Sequence, residues 1–80
     1  MAVRAYVLVE TSAGENVSEV VAAIAGVSGV RSADSVVGPY DVVAIVEADD
    51  LAALGKIVTE EIRALPGVAK TISLVVLPPA

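Results

Sequence analysis

The sequence contains no cysteine and no histidine, and each absence excludes a class of chemistry. Without cysteine the chain has neither a disulfide framework nor a thiolate nucleophile. Without histidine it lacks the commonest general base and metal ligand. We therefore expect a protein that is not an enzyme, uses no metal or other cofactor, and acts through binding.

Aromatic and basic residues are also scarce. The chain has two tyrosines but no tryptophan or phenylalanine, and ten acidic residues outweigh five basic ones, for a net charge of −5. No stretch concentrates lysine or arginine into a patch that could neutralise phosphates. RNA-recognition motifs need aromatic residues on their central strands, and copper-chaperone domains need a Cys-x-x-Cys loop, so both classes are excluded. The sequence predicts no direct binding of nucleic acid.

Aliphatic residues, by contrast, are abundant. Hydrophobic residues make up 56% of the 80 residues, and a single domain of this size, spanning residues 1–80, buries only about 60% of its unfolded surface. The excess of apolar side chains over what one small core can hide indicates partners. The first apolar run ends at Glu10, too early for a signal peptide, and no segment is long enough to span a membrane. We expect a cytoplasmic protein that does not associate with membranes.

Hydrophobic spacing and turn residues predict six elements in the order βαββαβ. The first helix begins at an N-cap formed by Asn16 with Glu19, and Gly26 and Gly29 end it. Asp49 and Asp50 offer the start of the second helix, Pro66-Gly67 terminates it, and its apolar stripe has helical spacing. The four β-rich runs cover residues 3–10, 30–37, 41–48 and 68–77.

The two halves of the sequence repeat with an offset of 38 residues, which aligns segment 24–30 with segment 62–68 and Val7 with Ile45. This repeat predicts two right-handed βαβ units. When such units interleave, they form a four-stranded antiparallel sheet with both helices on one face. The expected fold is therefore a ferredoxin-like sandwich of the α+β class.

Alternation along the strands predicts that both faces of this sheet are apolar, because successive side chains point to opposite faces. In the third strand, Val43 and Ile45 lie on one face and Val42, Ala44 and Val46 on the other. In the last strand, one face carries Val68, Ile72, Leu74 and Val76, and the other carries Ala69, Thr71, Ser73, Val75 and Leu77. The two helices can cover only one face, so the second apolar face would be exposed to solvent unless another subunit covered it. This predicts a sheet-to-sheet dimer. The alternative is that these are isolated surface valines, which are common on proteins.

The segment Gly38-Pro39-Tyr40-Asp41 combines a tight turn with a phenol and a carboxylate at the start of a strand. From chemistry alone the segment is also consistent with an ordinary hairpin turn in which the tyrosine packs and the aspartate caps the turn. Together with Leu65-Pro66-Gly67-Val68 and the final strand from Thr71 to Leu77, however, it resembles the effector-binding domain of the Lrp/AsnC (feast/famine) transcriptional regulators, called RAM for regulation of amino acid metabolism. The similarity covers essentially the whole chain, which resembles the stand-alone members that lack a helix-turn-helix domain.

The resemblance implies a dimeric α/β barrel that associates into octamers or similar rings of dimers, with amino acid effectors bound between dimers. By position, it places Gly38 and Tyr40 in the pocket wall, Asp41 against the effector's ammonium group, and Thr71 and Ser73 as hydroxyl partners. Ser73 stands where threonine is more usual, so effector choice could differ. Thr71 and Ser73 could equally be ordinary polar positions on a β-strand.

Three functions follow from these observations. The first is a ligand-responsive module that senses amino acids or related metabolites and co-assembles with full-length Lrp/AsnC regulators, modulating transcription indirectly. The second is a structural assembly adaptor whose pockets stay empty. The third is a small dimeric enzyme, which in the absence of histidine and cysteine would have to rely on Tyr, Asp or Glu.

Overall fold

The computed structural model describes residues 2–77. The elements follow the predicted order: β1 (Val3–Thr11), α1 (Val17–Ala25), β2 (Val30–Ser35), β3 (Val42–Ala48), α2 (Leu51–Lys56) continued by a π-helical segment (Ile57–Ile62), and β4 (Val68–Val75). The strands form one sheet in the order β2-β3-β1-β4, and every neighbouring pair is antiparallel. The prediction of a ferredoxin-like sandwich of the α+β class is confirmed.

The core lies between the sheet and its two helices. Alternate residues of the two central strands point into it, and α1, α2 and the π-helical segment each contribute side chains from the opposite side. The buried core residues are Ala5, Val7, Val9, Val20, Ile24, Val42, Ala44, Val46, Leu54, Val58 and Ile62. Because all of these are aliphatic, one face of the sheet is closed by the chain itself.

Both helices begin as predicted. The Asn16 Oδ1 atom accepts a hydrogen bond of 3.3 Å from the Glu19 backbone N–H, and the Asp50 Oδ1 atom accepts one of 2.7 Å from the Ala53 backbone N–H. These bonds satisfy donors that the first turn of a helix leaves without a partner. Gly26 is the C-cap of α1.

The second helix is not α-helical throughout, which the sequence did not predict. After Lys56 the backbone widens into the π-helical segment, and the Arg63 N–H donates to the Val58 carbonyl five residues back, at 3.0 Å. The buried residues Leu54, Val58 and Ile62 are spaced by four. In an α-helix each four-residue step overshoots a full turn by about 40°, so such a stripe drifts off one face. The wider π turn keeps Val58 and Ile62 over the core.

The strands depart from their predicted bounds at the loops. β1 extends to Thr11, β2 ends at Ser35 instead of residue 37, β3 begins at Val42 instead of residue 41, and β4 ends at Val75 instead of residue 77. Around Gly38-Pro39 the chain leaves the sheet, because proline has no N–H to give to a ladder.

One residue lies on the face opposite to the predicted one. A register shift between Glu10 and Thr11 sets Lys70 opposite Glu10 but Val68 opposite Thr11. This bulge inserts an extra residue in β4 and reverses the alternation at its start. Val68 therefore packs against the core, whereas Ile72 and Leu74 point to the other face, so the expectation that Val68 shares their face was wrong.

The internal sequence repeat corresponds to a structural equivalence at two glycines, but not in the strands that precede the helices. Gly29 and Gly67, at equivalent positions before β2 and β4, have φ angles of 96° and 90°, and a Cβ atom would lie 2.6 Å from Ile57 Cδ1 at the first and 2.8 Å from Val20 Cγ2 at the second. Val7 and Ile45, aligned by the same offset, point to opposite faces of the sheet. Five residues separate β1 from α1 but only two separate β3 from α2, so the offset cannot hold through both connections.

Candidate functional site

The loop between β2 and β3 is held to the sheet at its base and is open at its tip. The Val36 N–H donates to the Asp41 carbonyl, and the Asp41 N–H donates to the Val9 carbonyl, each at 2.9 Å. Between these anchors Val37 is fully exposed. A Cβ atom added at Gly38 would meet no heavy atom within 4 Å, so the backbone there is accessible. The loop thus presents an accessible backbone on a rigid base.

The Asp41 carboxylate is bound within the same chain. Its Oδ2 atom accepts a hydrogen bond from the Thr11 backbone N–H and another from the Thr11 hydroxyl, both at 2.8 Å. These two bonds lower the pKa of Asp41 below its ordinary value of 3.8, because they stabilise the ionised form. The side chain is only partly buried, so the charge faces solvent. At neutral pH this site offers a fixed negative charge.

Thr71 and Ser73 lie across β1 from Asp41. The register sets Thr71 opposite Val9 and Ser73 opposite Val7, so both hydroxyls are on the helix-covered face of the sheet. On the other side of β1, Val9 is paired with Val42, so Asp41, whose N–H bonds to the Val9 carbonyl, lies one residue further toward the loop. Two strand spacings and this offset of one residue separate the Cα atoms of Asp41 and Thr71 by about 10 Å. Ser73 is about 7 Å further along β4.

Within one chain the structure therefore brings together only part of the predicted site. Gly38, Tyr40 and Asp41 share one loop, with Tyr40 partly buried. Thr71 is one residue away from the level of Asp41 in the sheet, and Ser73 is three residues away. The residue that sequence analysis missed is Thr11. Its signal was a hydroxyl residue at the end of a largely aliphatic strand, which is a weak indication by itself.

A second feature is the sheet face that the helices leave uncovered. Side chains of directly opposed residues in antiparallel strands lie on the same face, and the registers of β1 with β3 and β4 create two apolar rows three strands wide. One row is Ile45, Tyr6 and Leu74; the other is Val43, Leu8 and Ile72. Tyr6 is 38% and Leu74 52% exposed, and the other four are partly exposed. We call these six residues the open apolar face.

Charged residues border the open apolar face near the start of β1. Glu47 follows Val43 and Ile45 in alternation on β3, and its carboxylate lies 3.9 Å from Arg4 Nη1 and 3.4 Å from Arg31 Nε. Both arginines are half-exposed or more. Such exposed pairs contribute little to stability, about 0–1 kcal/mol each, but they limit which orientations a covering surface can take.

Within residues 2–77 no cluster of acidic side chains is arranged to hold a metal ion. No helix in that part of the chain is long and apolar enough to cross a membrane.

The fold and these two features define a ferredoxin-like binding domain with one uncovered apolar sheet face and a polar loop site. Comparison with known families identifies which one. The model of the Lrp/AsnC ligand binding domain matches residues 4–79, and the chain belongs to this family.

Solved structures agree with this assignment. TTHA0845 from Thermus thermophilus is 36% identical, with a TM-score of 0.88 over 98% of this chain and 96% of that one. FFRP-DM1 is 33% identical, with a TM-score of 0.85 over 94% of this chain and 99% of that one. The Neisseria meningitidis transcriptional regulator NMB0573, solved as a complex with L-Met, has a TM-score of 0.83 over 95% of this chain; it is 21% identical, and the match covers 50% of its chain. Among curated proteins, none matches the sequence.

Proposed function

We propose that this protein is a self-assembling, non-enzymatic sensor of amino acids or related metabolites, formed as a single domain over residues 1–80. It acts on transcription indirectly, by assembling with full-length regulators of the Lrp/AsnC family. The observation that carries this proposal is the juxtaposition, at one end of the sheet, of the accessible Gly38 backbone and the ionised Asp41 carboxylate. An α-amino acid presents the complementary groups, since its carboxylate accepts from backbone N–H donors and its ammonium group donates to a carboxylate.

Self-assembly begins with the open apolar face. Its two rows expose large aliphatic and aromatic side chains side by side, and contiguous apolar surface of this kind marks interaction sites. A second copy of the same sheet supplies a matching apolar surface, and two faces stacked about 10 Å apart form the closed layer of a dimeric α/β barrel. Further association of dimers into an octamer or a similar ring would bring the β2–β3 loops of different dimers together.

The effector is proposed to bind where those loops meet. Gly38 and Tyr40 form the wall, and Asp41 binds the ammonium group. Thr71 and Ser73 are separated from Asp41 by β1 within one chain, so in this proposal their hydroxyls belong to a pocket that a neighbouring copy completes. The L-Met bound by the Neisseria regulator supports a choice of amino acids as first candidates.

A thermal-shift screen of the twenty amino acids tests the proposal. A ligand at a hundredfold excess over its Kd raises the free energy of unfolding by about 2.7 kcal/mol. At least one amino acid should raise the melting temperature of the wild-type protein. The Asp41→Ala variant should lose this ligand-induced shift, while Asp49→Ala, which removes an exposed carboxylate elsewhere, should keep it. A shift retained in Asp41→Ala would remove Asp41 from the site, and no shift with any amino acid would reject an amino acid sensor.

The second candidate is a structural assembly adaptor, and one observation favours it. The Asp41 carboxylate already has two donors from Thr11, so its role could be complete within the chain. Light scattering coupled to size exclusion separates the two functions: the assembly of an adaptor is the same with and without the amino acids of the screen. A small dimeric enzyme is the weakest of the three, because the site offers only a phenol and a carboxylate held ionised.

A further inference from the structure

Thr11 uses both of its donors on one oxygen atom. Its backbone N–H and its hydroxyl each lie 2.8 Å from Asp41 Oδ2. The neighbouring backbone holds the two residues in place, since the Asp41 N–H bonds to the Val9 carbonyl and the Ser12 N–H bonds to the Gly67 carbonyl. The carboxylate is therefore oriented by β1 and not by the loop that carries it.

This arrangement saturates one oxygen of the carboxylate with hydrogen bonds and leaves the other oxygen free to bind a ligand. A carboxylate has about four acceptor positions, two on each oxygen. The donors of Thr11 occupy both positions of Oδ2, while Oδ1 has no hydrogen-bond partner among residues 2–77. A ligand that approaches Asp41 can thus use one oxygen only.

Two kinds of organic cation respond differently to this restriction. A guanidinium group binds a carboxylate best through two parallel N–H···O bonds, one to each oxygen. A primary ammonium group is a compact charge with three donors, and it can bind a single carboxylate oxygen without a bidentate geometry. With Oδ2 filled, the guanidinium loses one of its two bonds, and the ammonium loses nothing.

We propose that Thr11 is a specificity-determining residue of the candidate site, which by saturating Asp41 Oδ2 makes the site select ligands with a primary ammonium group over those with a guanidinium group. The inference rests on the proposed function, in which Asp41 receives the cationic group of the effector. Thr11 does not contact the ligand and acts through the position and free acceptors of Asp41.

No neighbouring charged group takes over the role of Thr11 in holding the Asp41 carboxylate. The titratable and charged groups on the neighbouring strand ends are Glu10 and Lys70, which are opposite each other on β1 and β4, Asp34 on β2, and Tyr40 beside Asp41. None of them forms an ion pair with Asp41 within the described residues. The lowered pKa of Asp41 has Thr11 as its main cause.

Two variants isolate the hydroxyl. Thr11→Val keeps the shape and the backbone N–H but removes one of the two donors to Oδ2, whereas Thr11→Ser keeps both. Circular dichroism first establishes that each variant folds, with Thr11→Ala as a replacement if Thr11→Val does not. The protein is labelled with ¹³C at the aspartate carboxyl carbons, so that the pKa of Asp41 and its response to ligands are measured at the same atom.

The probes are pairs that differ only in the cation: glycine with guanidinoacetate, and L-methionine with its N-amidino derivative. In the wild type and in Thr11→Ser, we expect a pKa of Asp41 below the ordinary value and tighter binding of the amino member of each pair. In Thr11→Val the pKa should rise, and the preference should shift toward the guanidino member by about tenfold, the value of one charge-assisted hydrogen bond.

The outcomes separate this inference from the proposed function. An ordinary pKa for Asp41 in the wild type, equal binding of both members of a pair, or a preference unchanged in Thr11→Val would each overturn the role of Thr11. If no probe moves the Asp41 signal, the selectivity is rejected, while a melting-temperature shift with any amino acid would still support a sensor. If no probe moves the Asp41 signal and no amino acid raises the melting temperature, both proposals are rejected, because a ligand that binds the folded protein must stabilise it.

Discussion

Truncation of Leu74 tests the open apolar face directly. Leu74 is at the end of one of the two apolar rows and is 52% exposed. Burying a leucine side chain completely contributes about 1.5–3 kcal/mol, so covering the exposed half contributes roughly 0.8–1.5 kcal/mol. In a symmetric dimer the residue is covered twice. Leu74→Ala should then weaken the dimer by about 1.5–3 kcal/mol, which is roughly a tenfold to 150-fold rise in Kd.

The chain contains a matched control. Leu51 is 61% exposed, but it lies at the start of α2, on the helical side of the molecule. Leu51→Ala removes the same atoms from a surface that a sheet-to-sheet dimer leaves uncovered, so the dimer Kd should not change. Sedimentation equilibrium over a dilution series measures both variants. Equal weakening by the two substitutions, or an unaffected dimer in Leu74→Ala, would refute the assignment of the interface to the sheet.

Three other predictions concern stability. Ile62→Ala should lower the free energy of unfolding by about 2–5 kcal/mol in urea titrations, because Ile62 is fully buried beneath the sheet. Gly67→Ala should lower the free energy of unfolding by at least about 1–2 kcal/mol, because φ is 90° and the new Cβ meets Val20. Gly55→Ala adds a Cβ in open space on α2 and should raise the free energy of unfolding by up to about 1 kcal/mol. A higher melting temperature for Gly67→Ala than for Gly55→Ala would contradict the assignment of a strained backbone to Gly67. Because the pKa of Asp41 is lowered on folding, its contribution is complete above pH 3.8 and is lost as the pH falls through the folded value, so Asp41→Asn should flatten the acid limb of a stability-pH profile.

The alternation of side chains along β1, β3 and most of β4 was predictable from sequence, because one buried face forces the register of every residue in a strand. The exception at Val68 has a local cause. One extra residue near Ala69 is enough to reverse the alternation, and nothing in the composition of that segment marks it as a bulge.

The π-helical segment left no signal in the sequence. The apolar residues Leu51, Leu54, Val58, Ile62 and Leu65 follow one another by steps of three and four, as the stripe of an ordinary α-helix does.

The candidate site was harder to predict than the fold. The loop residues Gly38, Tyr40 and Asp41 stand together in sequence, so they were found together. The bond between Thr11 and Asp41 joins residues 30 positions apart and depends on how β1 ends beside β3, which only the assembled sheet specifies.

The Val76 N–H donates to the Arg4 carbonyl at 2.8 Å, so the first and last described segments run side by side at one end of the sheet. The β2–β3 loop is at the other end, about 24 Å away along the seven residue steps from Arg4 to Thr11. An affinity tag, a fluorophore or a fused protein attached near either segment would hence leave the loop unobstructed. β1, β3 and β4 all run between the two ends, and β1 pairs with both of the others, which makes β1 the place to introduce a spectroscopic label.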